Sequence, residues 1–187
     1  MKRFLFIPAA IFPYIVLTAL AIIAFSEQIM EVLFFNNAFL LLLVVLIVAL
    51  LSLILTVVTV VLSIVQKWDA VFISKYVMII KLIQIPAYLA IFLLGLLCLL
   101  TIFTIPFTLL LFLIDLIAIL MTGTLGFAAS FGAWREKKLS TPNAILFAVL
   151  QFLFCIDVVA SIILYSKVKK HKSLLNQIEF QKKWGTP

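Results

Sequence analysis

Five long runs of apolar residues constrain this chain more than any other feature of its sequence. They cover residues 4–25, 38–65, 77–103, 106–133 and 144–165, approximately. A helix crosses the hydrocarbon of a bilayer with roughly 20 apolar residues at 1.5 Å per residue, and each run reaches that length. None of the runs alternates apolar with polar residues, which is the pattern of a membrane β-strand. The sequence therefore predicts an all-α, polytopic transmembrane helix bundle with five membrane segments.

The composition argues against a water-soluble fold. Hydrophobic residues make up 67% of the 187 residues and charged residues only 11%, whereas a soluble domain is about half apolar and about a quarter charged. One core of this size cannot hide that excess from water. We therefore expect residues 1–165 to form a bundle in the cell membrane (plasma or bacterial inner membrane) and residues 166–187 to form a basic C-terminal tail.

The first apolar run can be read in two ways. Met1-Lys2-Arg3 followed by apolar residues resembles a signal peptide, with Ala24-Phe25-Ser26 as an imperfect cleavage site. The run is longer than the hydrophobic part of a typical signal peptide. We interpret it as an uncleaved first span.

The distribution of positive charge gives only a narrow orientation signal. Basic residues favour the cytoplasmic side of a membrane. With five segments and a cytoplasmic N-terminus, eight basic residues lie inside and six, all in the tail, lie outside. An even number of spans, with one segment re-entrant or interfacial, would return the tail to the cytoplasm, and dual insertion is a third alternative. We expect a cytoplasmic N-terminus and leave the side of the tail open.

Four lysines near the start of the tail form a basic cluster: Lys167, Lys169, Lys170 and Lys172. In the cytoplasm they would lie against anionic lipid headgroups, at about 1 kcal/mol per charge near the surface. A lysine cluster also suits nucleic-acid phosphates. Because membrane topology explains the cluster by itself, we expect the bilayer and no nucleic acid as its partner.

Small polar residues follow one face of the second segment. Their steps of four, three and four residues place them on one side of a helix: Ser52, Thr56, Thr59 and Ser63. Small hydroxyl side chains let helix backbones approach closely and bond across the contact, so we expect a helix-packing stripe. The alternative is one wall of a polar conduit.

Two aspartates lie inside apolar runs. Asp115 shares a helix face with Thr108 and Thr122, and Asp157 lies in the last run with Gln151. A carboxylate facing lipid at the helix centre costs about 2.5–3.5 kcal/mol on the insertion scale, so we expect both aspartates to face protein. They are candidates either for a structural polar network or for a proton or cation site. We expect Lys81 to act as an interfacial anchor, since Asp115 is too far along the hairpin to be its partner.

The sequence contains no recognised catalytic or cofactor motif. Its single histidine is His171, and its two cysteines are separated by 56 residues, so neither a histidine metal site nor a Cys-x-x-Cys pair is indicated. Phosphate-binding and nucleophile-elbow motifs are absent from the sequence. We expect no enzyme activity, no cofactor and no bound metal.

Several segments resemble a family of small, uncharacterised bacterial multi-pass membrane proteins. The resemblance rests on Phe35–Asn37, Lys81–Tyr88, Leu99–Thr104 and Gln151–Val159. It implies a bacterial inner membrane, and it implies no activity and no residue role.

Two classes of function remain. The first is a non-enzymatic membrane partner, regulator or immunity-type subunit that binds another membrane protein or itself as a homo-oligomer. The alternative is a small proton- or cation-coupled transporter or channel that uses Asp115 and Asp157.

Overall fold

The described chain is mostly helical. The computed structural model describes residues 2–100, 105–153 and 155–184. After a 3-10 turn at Phe4–Phe6, the helices are α1 (Ile7–Phe25), α2 (Glu27–Phe34), α3 (Ala38–Val65), α4 (Ala70–Cys98), α5 (Ile105–Arg135), α6 (Thr141–Leu150) and α7 (Ile156–Trp184). Within the described ranges there is no β-strand. The predicted all-α helical bundle is confirmed.

Four helices are long and apolar enough to cross a membrane. Within the described part of the chain they cover Phe4–Phe25, Phe39–Val65, Ala70–Cys98 and Phe107–Arg135. Three of them lie where the sequence predicted a segment. The other begins at Ala70 rather than near residue 77, because the polar residues in its first turns continue the helix. The predicted end of that segment, residues 101–103, lies outside the described residues.

The fifth predicted segment differs from the expectation. Residues 144–165 do not form one helix, because α6 ends at Leu150 and α7 begins at Ile156. Cys155 has a left-handed backbone with φ of 64°. At ten residues, α6 is about half the length needed to span the hydrocarbon. The described chain therefore has four helices able to span a membrane where the sequence predicted five.

The tail predicted at 166–187 does not begin as a separate segment. Helix α7 continues through residue 166 without interruption and ends at Trp184. No glycine or proline lies between Ile156 and Trp184 to stop or kink it.

The chain divides into two compact units. Unit 1 contains residues 1–58 and 83–121, and unit 2 contains residues 59–82 and 122–187. The core of unit 1 is made by apolar side chains of five helices: Phe12, Val16, Ala19, Met30, Leu41, Val45, Ala49, Tyr88, Ala118 and Met121. Small residues dominate the buried face of α5 in unit 2, where Gly132 lies against Ala70 at the start of α4.

Candidate functional site

A buried ion pair joins α4 to α7 within unit 2. The Lys81 ammonium lies 2.8 Å from Oδ2 of Asp157, and the two side chains are 0% and 5% exposed. Lys81 lies eleven residues after Ala70, about 16 Å from that end of a helix that is long and apolar enough to cross a membrane. A lone charge would be very costly at such a position, so each residue supplies the counter-charge that the other needs.

The same lysine also bonds to the interruption between α6 and α7. Its Nζ donates to the Gln151 carbonyl oxygen at 3.2 Å. In a continuous helix that oxygen would accept the N–H of Cys155, whose left-handed backbone ends the helical pattern. Irregular backbone at membrane depth requires protein donors for its freed groups. Lys81 therefore stabilises both the Asp157 carboxylate and the interrupted helix.

The Gln151 side chain extends this polar cluster. Its Oε1 lies 2.9 Å from the Ser161 hydroxyl, which is also 2.8 Å from the Asp157 carbonyl oxygen. A hydroxyl has one proton, so Ser161 donates to one of these oxygens at a time. The Gln151 Nε2 is buried and has no hydrogen-bond partner among the described residues. The cluster thus holds one unused donor beside the ion pair.

Two glycines of α5 make room for the interruption. A Cβ added at Gly126 would lie 2.5 Å from Cδ of Gln151, and one added at Gly123 would lie 2.6 Å from the ring of Phe152. Both distances are far inside van der Waals contact. The α5 backbone is therefore approached directly by the side chains that follow α6, which only glycine permits.

In unit 1 a side chain of α4 likewise bonds to a backbone carbonyl that lacks its helical donor. Pro13 has no N–H, so the Ala9 carbonyl of α1 lacks its helical donor. Gln84 Nε2 of α4 donates to that oxygen at 2.6 Å, and the Tyr88 hydroxyl donates to Gln84 Oε1 at 3.1 Å. In each unit, a buried side chain of α4 compensates for a missing backbone bond.

Charged residues at one end of unit 2 form a second network, here called the polar end: Asp69, Arg135, Glu136, Lys138 and Lys172. Asp69 accepts the Val71 N–H at 2.9 Å and pairs with Lys138 at 3.2 Å and with Lys172 of α7. Glu136 pairs with Lys138 and accepts the Ala70 N–H at 2.9 Å. Arg135 donates to the Ile64 carbonyl at 2.8 Å. The network caps the end of α3 and the start of α4 and joins α7 to them.

The pKa of Asp69 reflects these contacts. Partial burial raises the pKa, but the hydrogen bonds from Lys172, the Val71 N–H and Lys138 outweigh burial and lower it from 3.8 to about 2. Asp69 therefore stays ionised across the physiological range.

The predicted polar-network residues fall in different units. Asp115 is half-buried in unit 1, and its Oδ1 has no hydrogen-bond partner among the described residues. Thr108 Oγ1 is 3.5 Å from the Gly95 carbonyl in the same unit. Gln151 and Asp157 lie together in unit 2, where Thr122 is also buried. The role predicted for these residues as a proton or cation site stays a prediction.

The predicted packing stripe is buried at all four positions. Thr56 Oγ1 donates to the Ser52 carbonyl at 2.8 Å and Ser63 Oγ donates to the Val60 carbonyl at 2.7 Å. Both hydroxyls thus bond within their own helix, and the packing role of the stripe stays a prediction.

The predicted basic cluster is exposed on α7, but its lysines are not equivalent. Lys172 pairs with Asp69, whereas the ammonium of Lys167 lies 5.1 Å from the ring centroid of Phe147 and that of Lys169 lies 5.7 Å from that of Tyr165. Lys170 has no such contact to a described residue. Headgroup binding by the cluster is likewise a prediction.

Sequence reasoning missed the pairing of Lys81 with Asp157. It assigned Lys81 to the interface and compared it only with Asp115, because the fifth run was read as a continuous helix. The hydrogen bond from Gln84 could have been anticipated from the sequence, since a proline inside a span leaves one backbone carbonyl without its helical donor.

The described residues contain no cluster of three or more His, Cys, Asp or Glu side chains that could hold a metal ion.

The fold is that of an α-helical membrane protein, and the described residues contain four apolar helices of spanning length. The chain belongs to a family of unknown function, DUF6652, which matches residues 2–170. No curated protein and no solved structure matches the chain.

Proposed function

We propose that this membrane protein is a multi-pass protein of the bacterial cell membrane with four spans and with its N-terminus, its polar end and the second half of α7 in the cytoplasm. Four spans give a much stronger charge asymmetry than five. The sequence has 14 lysines and arginines, and residues 26–37 and 99–104, which join the spans on the other side, carry none. Every basic residue then lies on the cytoplasmic side or within α4, as the positive-inside rule favours.

Its proposed role is that of a non-enzymatic partner or regulator of another membrane protein. An immunity-type subunit is one example of this class. The observation that carries this role is a stripe along one face of α7, whose first half is buried and whose second half carries exposed apolar side chains. Residues at steps of four and three are buried along the first half of the helix: Asp157, Ser161, Leu164 and Val168. The same spacing continues through His171 to Leu175 and Ile178, which are 43% and 60% exposed.

The exposed part of this stripe lies beyond the polar end. Lys172 bonds to Asp69, and α7 continues for twelve residues past it, about 18 Å of helix. Residues 173–182 are all exposed. A helix with apolar anchors at i and i+3 and with flanking lysines fits an apolar groove with an acidic rim on a partner protein.

Photocrosslinking in intact cells tests this role. A photoreactive side chain at Leu175 or Ile178 should give one discrete protein adduct, and one at Asn176 or Gln177, on the opposite face of α7, should not. The captured protein, once purified, should bind the parent chain and bind the Ile178→Ser variant more weakly. Equal adducts at all four positions, or adducts with lipid alone, would contradict the proposal.

A second candidate is a small proton- or cation-coupled transporter that uses Asp115 and Asp157. The unpartnered Oδ1 of Asp115 favours it, since a buried carboxylate oxygen without a donor is a ready acceptor for a proton or cation. Asp157 already has the Lys81 ammonium as its cation. Proton or cation flux in reconstituted liposomes that is lost in Asp115→Asn would favour transport over partner binding.

A further inference from the structure

A groove of about 220 Å³ lies between α5 and α6 in unit 2. The α5 wall is aromatic, with side chains on one face of the helix at steps of four and three: Phe127, Phe131 and Trp134. The α6 wall consists of Thr141, Ala144, Ile145 and Ala148. The two alanines leave the space open, because a larger side chain at either position would fill it.

The groove has one polar end. There the Trp134 Nε1 donates to the Thr141 hydroxyl at 3.2 Å. The loop that follows Trp134 is basic, and two of its cations already have partners: Arg135 bonds to a carbonyl and Lys138 pairs with two carboxylates. Lys137 is exposed and forms no ion pair with a described residue. The Lys137 backbone N–H donates to the Trp134 carbonyl oxygen at 2.9 Å, which ties this lysine to the residue at the polar end of the groove. The groove is therefore lined by apolar side chains along its length, and an exposed lysine follows closely after its polar end.

We infer that this groove binds an acyl chain of an anionic phospholipid, with the phosphate at the Trp134–Thr141 end beside Lys137. The volume holds about seven water-sized groups at roughly 30 Å³ each, which suits a run of methylenes. A partner helix about 10 Å across exceeds this volume within a single 5.4 Å turn, so it does not fit. An anionic headgroup complements Lys137, and the cytoplasmic leaflet proposed for this end is rich in such lipids.

A groove in unit 1 provides a contrast within the same chain. It has a volume of about 340 Å³ and is lined only by apolar side chains of α1, α3 and α5. With no charged or polar residue in its lining, that groove has no means of selecting a headgroup. Of these two grooves, selection of anionic lipid is therefore assigned to the α5–α6 groove.

Brominated lipids test the inference directly, because bromine atoms quench tryptophan fluorescence only at short range. The full chain is placed in phosphatidylcholine nanodiscs that contain a small fraction of dibrominated phosphatidylglycerol or dibrominated phosphatidylcholine. The Trp134 signal is obtained by subtracting the emission of Trp134→Phe. We expect phosphatidylglycerol to bind about fivefold more tightly, the effect of one lysine near the surface. Equal quenching by the two lipids would overturn the inference.

Three further variants locate the lipid. Ala148→Phe fills the groove and should abolish the excess quenching, whereas Val149→Phe, at the next residue of α6 and outside the groove, should retain it. Lys137→Gln alters only an exposed side chain and should remove the preference for phosphatidylglycerol. Retention of that preference in Lys137→Gln, or identical behaviour of the two phenylalanine variants, would overturn the inference. None of these results depends on the proposed partner role.

Discussion

Lys81 and Asp157 lie 76 positions apart in the sequence, and their Nζ and Oδ2 atoms are 2.8 Å apart in the structure. The lysine comes from the middle of a spanning helix and the aspartate from the first turn of α7. An acid in the first turn also interacts favourably with the positive end of the helix dipole. The pair thus joins the start of α7 to α4 and leaves neither charge alone in an apolar environment.

The four-span topology predicts a specific labelling pattern. Single cysteines at Glu27, Lys138 and Ser173, in a background without Cys98 and Cys155, are treated with a membrane-impermeant maleimide. Position 27 should react in intact cells, and positions 138 and 173 should react only after the membrane is opened. Labelling of position 173 but not of position 138 from outside would indicate an odd number of spans and contradict the four-span assignment.

Gly126→Ala should destabilise the protein by about 1–3 kcal/mol, because the added methyl group overpacks the contact with Gln151. Gly95→Ala is the matched control, since nothing lies within 4 Å of its added Cβ. That control should stabilise α4 by about 0.5–1 kcal/mol. Unfolding free energies in mixed micelles measure both changes, and equal effects at the two glycines would refute close packing at Gly126.

Replacement of Gln84 should have a cost that depends on Pro13. Gln84→Leu leaves the buried Ala9 carbonyl without a donor, which costs about 1–3 kcal/mol. In a Pro13→Ala background the helix regains its own N–H donor for that carbonyl. The same substitution should then cost less, although the Tyr88 hydroxyl loses its hydrogen bond to Gln84 in both backgrounds. A cost that is identical with and without Pro13→Ala would show that Gln84 has another role.

Lowering the pH should weaken the ion pairs of Asp69 at the polar end over a defined range. The pKa of Asp69 is lowered from 3.8 to about 2 in the folded protein, so its ion pairs stabilise fully above about pH 4 and lose their effect as pH falls towards 2. Parent and Asp69→Asn should differ in melting temperature at pH 6 and converge near pH 2. The difference should be small, because the Asp69 side chain is 39% exposed and solvent screens it. A constant difference between pH 6 and 2 would contradict this.

The helices could be predicted from the sequence because lipid leaves few alternatives. An apolar run of spanning length must satisfy its own backbone bonds, and that requirement alone specifies α1, α3 and most of α5. The start of α4 was placed late because Ser74 and Lys75 looked like a boundary. In the structure Ser74 is buried and bonds to the Ala70 carbonyl, so it belongs to the helix.

The interruption at residues 151–155 could not be predicted in the same way. It contains no proline or glycine, and the residues that permit it, Gly123 and Gly126, lie on another helix. Its donor, Lys81, lies on a third. Because the interruption was not predicted, five segments were expected and Lys81 was not recognised as the partner of Asp157. The interruption depends on contacts with residues that are distant in the sequence, and the local sequence pattern does not contain them.

A double-mutant cycle on Lys81 and Asp157 tests most directly whether this ion pair stabilises the folded protein. Lys81→Met and Asp157→Asn should each cost about 3–5 kcal/mol of unfolding free energy, because each leaves one buried charge without its partner. The double variant contains neither charge, so it should lose much less than the sum of the two single losses, by at least about 2 kcal/mol. Additive losses, or single variants as stable as the parent, would contradict the account.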